Sequence, residues 1–392
     1  VSTPFFFELS GLNSIDYENP VIKEIEKTGF ASRFFRLVST TDSLIEKNDN
    51  LALNLRSKAF VLSFGFSGRD ELVPLFVTKA ESRGTQSEIE AVIKSYLSPS
   101  QYTYKSKEYG KYSIIEITGK AGHPPVYYSF TNGLLLVSSK SLLLEQGIRQ
   151  ITTDGILQNP YFLNVNKTAS LQAEHSFYLN HEYFTEFGSQ LLNSQSRNIV
   201  DEFGETQRVK ISNQMDAFKK FADWSELDIR FKNDHFIMSG ISAADDSLNH
   251  FLSVFNNQQP VRYSAASVLP ANTSYFCSFA FSDKESFFDR LETYFTHSDF
   301  FYRREERMKR FNRGMRSDFR NEFRQMVDDE VIVATTTVPV NPENKTVFFF
   351  LYTRGQSAAR EKLTGLLSNY SARHEIAVND LKSEFNIDDD LA

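Results

Sequence analysis

The sequence predicts an α+β protein made of two related modules, each an antiparallel or mixed sheet carrying packed helices. Three observations predict it. The strand Phe60 to Ser67, FVLSFGFS, returns at 275–282 as YFCSFAFS, with Ser63, Phe64, Phe66 and Ser67 recurring as Ser278, Phe279, Phe281 and Ser282. Asn132-Gly133 stands between two apolar runs, VYYSF and LLLVS, which is the strongest short hairpin signal. Hairpins of this kind outnumber helical crossovers along the chain, so a doubly wound parallel sheet is not expected.

Taken in order, Phe5 to Leu9 reads as a buried strand. Asn19-Pro20 reads as an N-cap followed by proline at the first helical position. A helix is predicted over 31–47, where Phe34, Val38, Thr41, Leu44 and Ile45 fall near helical spacing. The first signature strand occupies 58–67, with a partner near 72–79. A helix follows at 87–97 with Ile89, Val92, Ile93 and Leu97 on one face. Hairpins come next, at 102–118 with its turn at Tyr109-Gly110 and then around Asn132-Gly133. Ser139 is placed to cap a helix bearing Leu142, Leu143 and Ile148.

The apolar pattern thins from 152 to 172. The boundary therefore falls there, giving a first module at 1–165 and a second at 166–392. The second opens like the first, with a strand at 175–180 and a helix through Phe184, Phe187 and Leu191. Residues 193–213 are polar and read as a loop or irregular helix. Trp224 to Ser242 is a hairpin, and Asp245-Asp246-Ser247 is placed to start a helix through Leu248, Phe251, Leu252 and Phe255. After the second signature strand the chain inserts helix at about 284–329, then strands at 330–338 and 346–353. The segment 346–367 resembles 72–97 in type. In the first module two hairpins follow that point; in the second an acidic tail, Asp388-Asp389-Asp390, comes first. The second module is thus expected to be incomplete at its C-terminus.

Composition limits the function classes. Of 392 residues, 37 are Phe and 17 Tyr, which implies large cores or a sticky surface. The net charge of −7 argues against a nucleic-acid partner. A lone cysteine, Cys277, excludes an intrachain disulfide and leaves the redox compartment open. It lies in an apolar strand and reads as a buried, inert thiol.

The most distinctive segment is 303–326. Met308, Phe311, Met315, Phe319, Phe323 and Met326 form an apolar stripe at helical spacing. Burying six such side chains is worth on the order of 10 kcal/mol gross. Nine basic and four acidic residues surround the stripe, a local charge of +5 against −12 for the remainder. Two readings follow: a packed helix whose arginines are solvated or paired internally, or an anionic-partner surface formed by Arg303, Arg307, Arg310, Arg313, Arg316, Arg320 and Arg324.

Catalytic signals are weak. No two of the seven histidines have metal-ligand spacing. His181-Glu182 lacks the second histidine of a zincin helix at Thr185, and His175 and His181 share strand parity without a third ligand, so both read as structural. Gly65-Phe66-Ser67-Gly68 comes near a nucleophile elbow but lacks its spacing, and Ser67 recurs as Ser282 without the glycines. No Walker loop or dinucleotide fingerprint occurs. No catalytic residue, cofactor or metal is assigned.

The order of features over 220–295 carries a resemblance. Leu227-Asp228-Ile229 leads to Met238-Ser239-Gly240, then Asp245-Asp246-Ser247, Phe251-Leu252, Gln259-Pro260, Leu269-Pro270 with Asn272-Thr273, and Phe279, Phe281, Ser282 and Asp283. This resembles a bacterial family, domain of unknown function 3352. Over 1–220 the likeness is looser and rests on Asn132-Gly133 followed by Leu136 to Ser139. The resemblance implies an exported envelope protein with an N-terminal membrane anchor and, in longer members, a β-propeller-like region beyond this part. It brings no catalytic residues. The expected function is a non-enzymatic envelope scaffold or binding region of a larger anchored protein, periplasmic or otherwise extracytoplasmic, whose partner is an envelope protein or polymer. Membrane contact would come through a segment outside this chain or weakly through the basic helix. The alternatives are a module binding an anionic surface or polymer, and a hydrolase with a dispersed site.

Overall fold

The computed structural model describes residues 3–27, 39, 42, 46, 58–67, 72–119, 125–153, 155–169, 174–192, 196–200, 206–210, 218–247, 249–297, 301–338, 341–353 and 355–374. The fold is α+β, and every strand pairing is antiparallel. The chain divides into two units, 1–250 and 251–392.

The first unit is built on a ten-stranded sheet. Its strands are β1 (Phe5–Leu9), β2 (Phe60–Phe66), β3 (Leu72–Lys79), β4 (Tyr102–Tyr109), β5 (Tyr112–Gly119), β6 (Val126–Thr131), β7 (Leu134–Ser138), β8 (His175–Asn180), β11 (Trp224–Phe231) and β12 (Phe236–Ala243). They lie in the order β12-β11-β8-β1-β2-β3-β7-β6-β5-β4. β9 (Ser196–Val200) and β10 (Thr206–Lys210) form a separate two-stranded sheet where a loop or irregular helix is expected.

β1 is the seam of the large sheet. It pairs with β2 on one side and β8 on the other, Phe5 facing both Phe64 and Leu179. Its side chains alternate between the two sheet faces. Phe6 stacks on Tyr178 at 4.5 Å on one face. On the other, Phe5 meets Phe64 at 4.8 Å and Phe7 meets Phe177 at 4.9 Å. This pairing overrides the expected boundary near 165. The strands at 175–180 and 224–243 join the first sheet because β1 offers them an apolar edge.

Local signals explain most element ends. Asn19 Oδ1 accepts from the Val21 amide at the start of α1 (Pro20–Glu26). Ser82 caps α2 (Arg83–Tyr96), which starts four residues earlier than its apolar spacing suggests. Asn132 and Gly133 have φ of 49° and 76°, the left-handed pair a two-residue hairpin turn requires. α3 (Ser141–Thr152) begins after Lys140 without a side-chain cap, so Ser139 does not cap it. Where the apolar pattern thins, a helix forms all the same: α4 (Pro160–Thr168) is capped by Asn159 and buries Phe162 and Val165 against Tyr178 and Trp224. α5 (His181–Leu192) follows β8 directly. The helix expected from Asp245 is replaced by a 3-10 turn at Phe251–Phe255. The helix expected at 31–47 falls almost entirely outside the described residues, as does the acidic tail.

The second unit has a three-stranded sheet, β13 (Thr273–Ala280), β14 (Glu330–Val338) and β15 (Asn341–Leu351), in the order β13-β14-β15. Its helices are α6 (Lys284–Thr296), α7 (Phe301–Met315), α8 (Phe319–Met326) and α9 (Gln356–His374). The repeated signature therefore occupies two different environments. β2 is central and mostly buried; β13 is an edge strand paired only with β14. Cys277, expected to be buried there, is half-buried.

Two substitutions test this packing by urea unfolding. Leu62→Ala, at a fully buried site of the seam, is expected to destabilise by about 2–5 kcal/mol. Gly240→Ala is expected to destabilise by at least ~2 kcal/mol, because a Cβ there collides with the backbone of Glu226 and Leu227.

Candidate functional site

Among the described residues, two polar clusters and the basic helices gather the ionisable side chains that bear on chemistry. The first cluster forms where β8 ends and α5 begins. His181 and Ser225 are both buried, with His181 Nε2 2.8 Å from the Ser225 hydroxyl. Ser225 continues to the Ser242 hydroxyl at 2.6 Å. Burial, followed by the nearby His250, pushes the His181 pKa down to about 4, so the imidazole is neutral at pH 7. Its Nδ1 has no hydrogen-bond partner of ordinary geometry. A hydroxyl next to a neutral imidazole is the start of a nucleophile–base pair, but among the described residues no carboxylate orients the ring, and both groups are buried. Close by, the Asp245 amide donates to His250 Nδ1 at 3.1 Å, and Tyr161 donates to the Asp245 carboxylate. Asp223 is raised to about 6 by burial, then by Glu182 and Asp245. The cluster ties the start of α5 to β11 and β12, and α4 to the segment after β12.

The second cluster lies on one face of the sheet. Register places Glu8, Ser176 and Asp228 in one row, and Tyr178 and Glu226 in the next. Glu226 and Asp228 are buried. Burial pushes Glu226 up to about 7, and Asp228 adds to the shift. Burial also raises Glu8, which keeps part of its side chain in solvent. A carboxyl whose pKa is raised toward neutrality is a general-acid candidate when it lines an open cleft. Glu226 is sealed under its neighbours, and its Oε1 has no partner among the described residues.

The basic segment is two helices, not one. α7 ends where Arg316 adopts φ 50°, and Asp318 caps α8. The apolar stripe is packed: Phe311, Met315, Phe319 and Met326 lie against Ala359, Leu363, Leu366 and Tyr370 of α9, and Phe323 joins the core of β14 and α6. Three arginines are held by carboxylates of the same unit. Arg304 and Arg320 each bridge Glu292 and Glu305, at 2.7–3.5 Å. Arg324 pairs with Glu285 and Asp289. Arg304 also lies 4.0 Å over the Phe295 ring. Arg307, Arg310, Arg313 and Arg316 have exposed side chains. The Arg303 side chain lies outside the described residues. The seven arginines therefore do not form one continuous cationic face.

Among the described residues, no group of three or more metal-ligating side chains is found, and no helix is long and apolar enough to cross a membrane. Ser282 is a turn residue: its hydroxyl accepts from the Gln259 amide at 2.8 Å, and Gln258 Oε1 accepts from the amides of Ser282 and Asp283. Glu330 is buried and fully engaged, accepting from the Ser278 hydroxyl at 2.6 Å and the Ser264 amide at 2.7 Å. Sequence reasoning missed both carboxylate sites. Glu226 and Asp228 carried a readable signal, acids at alternate positions of an otherwise inward-facing strand.

The two clusters predict opposite pH limbs. His181 is neutral when folded, so its contribution is complete above about pH 6.5 and is lost as pH falls toward 4. Glu226 is held protonated when folded, so its contribution is complete below about pH 4.5 and is lost as pH rises through 7. Glu226→Gln should raise the melting temperature at pH 8 and leave the acid limb unchanged, measured by thermal unfolding between pH 4 and 9. Glu292→Gln weakens the charge that Arg304 and Arg320 share, and should destabilise by up to about 1 kcal/mol, less in high salt.

No family model, curated protein or solved structure matches this chain, so the likeness to domain of unknown function 3352 rests on the order of its motifs.

Proposed function

We propose that the chain is a non-enzymatic binding scaffold of a bacterial cell envelope, working outside the cytoplasm as part of a larger anchored protein. The observation that carries the binding role is the contrast between the two edges of the ten-stranded sheet. A bare strand edge is a template for pairing with another chain, and charges are the usual protection. β4 carries Lys105, Lys107 and Glu108, all exposed. β12, Phe236-Ile-Met-Ser-Gly-Ile-Ser-Ala243, carries no charge at all. Phe236, Ile237, Met238 and Ile241 on it are 40–45% exposed. Strand addition at such an edge is a recurring recognition mode, with backbone hydrogen bonds giving affinity and alternate side chains giving specificity.

A second apolar area supports the same reading. Tyr275 on β13, with Val347 and Phe349 on β15, stands exposed on the three-stranded sheet, Phe349 by 71%. The non-enzymatic part is supported by the closed state of the two polar clusters. Envelope location rests on the family resemblance.

The anionic-surface reading survives in reduced form. Lys309, Arg313 and Arg316 are exposed near the end of α7, whereas Arg304, Arg320 and Arg324 neutralise carboxylates of their own unit.

Fractionation of the full-length gene product tests the compartment. Recovery with the envelope is expected, and a purely cytosolic product would overturn it. Sedimentation with anionic vesicles at low salt tests the alternative: no binding is expected, while binding that salt and Arg313→Glu/Arg316→Glu abolish would favour the basic surface.

A further inference from the structure

Resting on the binding-edge reading above, we infer that β12 pairs antiparallel with β12 of a second copy of this chain, about a two-fold axis through Ser239, so that the ten-stranded sheet continues across the dimer. Register with β11 fixes which side chains share a face. Ile237, Ser239, Ile241 and Ala243 stand opposite Arg230, Asp228, Glu226 and Trp224; Phe236, Met238, Gly240 and Ser242 occupy the other face.

An axis through Ser239 makes the strand complementary to itself. Ile237 of each copy meets Ile241 of the other, so one face gains two aliphatic cross-strand pairs. On the opposite face Phe236 meets Ser242 and Met238 meets Gly240, a large side chain against a small one at each place. Gly240 is already required by the close approach of β11, and its bare Cα leaves room for a neighbouring Met238. Moving the axis to residue 237 sets Phe236 against Met238 and leaves Ile241 beside the turn. Moving it to 241 sets Ile237 beside Asp245 and pairs Gly240 with Ser242. Of these three registers, the Ser239 axis gives Ile237 and Ile241 each other and sets Phe236 and Met238 against small residues.

Charge does not oppose this register. The flanking residues lie in turns outside the strand, so the register is decided within 236–243 alone. The strand itself is uncharged, so no charge within it opposes the pairing. One pair of short strands buries less than the about 800 Å² per partner of a standard interface. The association is therefore reversible and concentration-dependent.

The test uses the full 392-residue chain with Cys277→Ser, which removes its single native thiol. Sedimentation over a ~100-fold concentration range should show the mass doubling, and Ile237→Lys should hold the chain as a monomer with unchanged circular dichroism. Added Ser239→Cys should form a disulfide dimer under mild oxidation, because the axis brings the two residues to a Cα separation of about 4.4–6.8 Å. Lys107→Cys on β4 should not. A chain that stays monomeric without a Ser239→Cys dimer overturns the inference, as does faster cross-linking at Lys107→Cys. A photo-crosslinker at Ile237 of the full-length protein in cells separates this failure from failure of the binding reading. A monomer whose Ile237 labels an envelope component loses the self-pairing and keeps the binding edge; a monomer with no label loses both.

Discussion

Everything in the first unit depends on β1. Five residues, Phe-Phe-Phe-Glu-Leu, are paired along both edges, with Phe5 and Leu9 buried, Phe6 and Phe7 half-buried and Glu8 exposed. A strand that is apolar on both faces must lie inside a sheet. Once it does, the segments that flank it are forced into one layer. The aromatic contacts of Phe5, Phe6 and Phe7 reach β2, β8, α4 and α5. The polar clusters described above sit on strands that this seam positions, and so does the unguarded edge of β12, two strands beyond β8.

The basic helices follow a similar logic with a different currency. An apolar stripe of six residues draws α7 and α8 onto α9 and α6, and this brings arginines against Glu285, Asp289, Glu292 and Glu305. Because these charges are partly withdrawn from water, their mutual arrangement is more constrained than in a surface pair. The acidic partners come from α6 and from α7 itself, so much of the local excess of positive charge is compensated within the second unit.

Much of this architecture was legible in the sequence. The hairpins at 102–119, 126–138 and 224–243, the α+β class and the burial of the stripe follow from periodicity and turn residues. The misses have physical reasons. The boundary near 165 failed because strand pairing depends on which edges are open, and no local pattern states that. α4 was missed because its apolar residues, Tyr161, Phe162, Leu163 and Val165, fill too short a run to show a helical period, although Asn159-Pro160 repeats the cap signal of Asn19-Pro20. The signature strands share side-chain alternation, which is common to central and edge strands, so their likeness says nothing of their neighbours. The break at Arg316 is backbone geometry within an unbroken apolar stripe. Of the polar sites, His181 was visible as a residue, but its link to Ser225 depends on the pairing of β8 with β11.

The seam also has a consequence in time. β1 closes on β8 across about 170 residues of sequence. At 5–20 residues per second, synthesis of that interval takes roughly 10–30 s. Until then, the edge of β1 that will meet β8 has no strand to pair with. Glu8 then has a second role. In the finished sheet its carboxyl is partly desolvated, a mild liability; in the nascent chain it sets one charge within a run of phenylalanines, the kind of residue that hinders like strands from pairing.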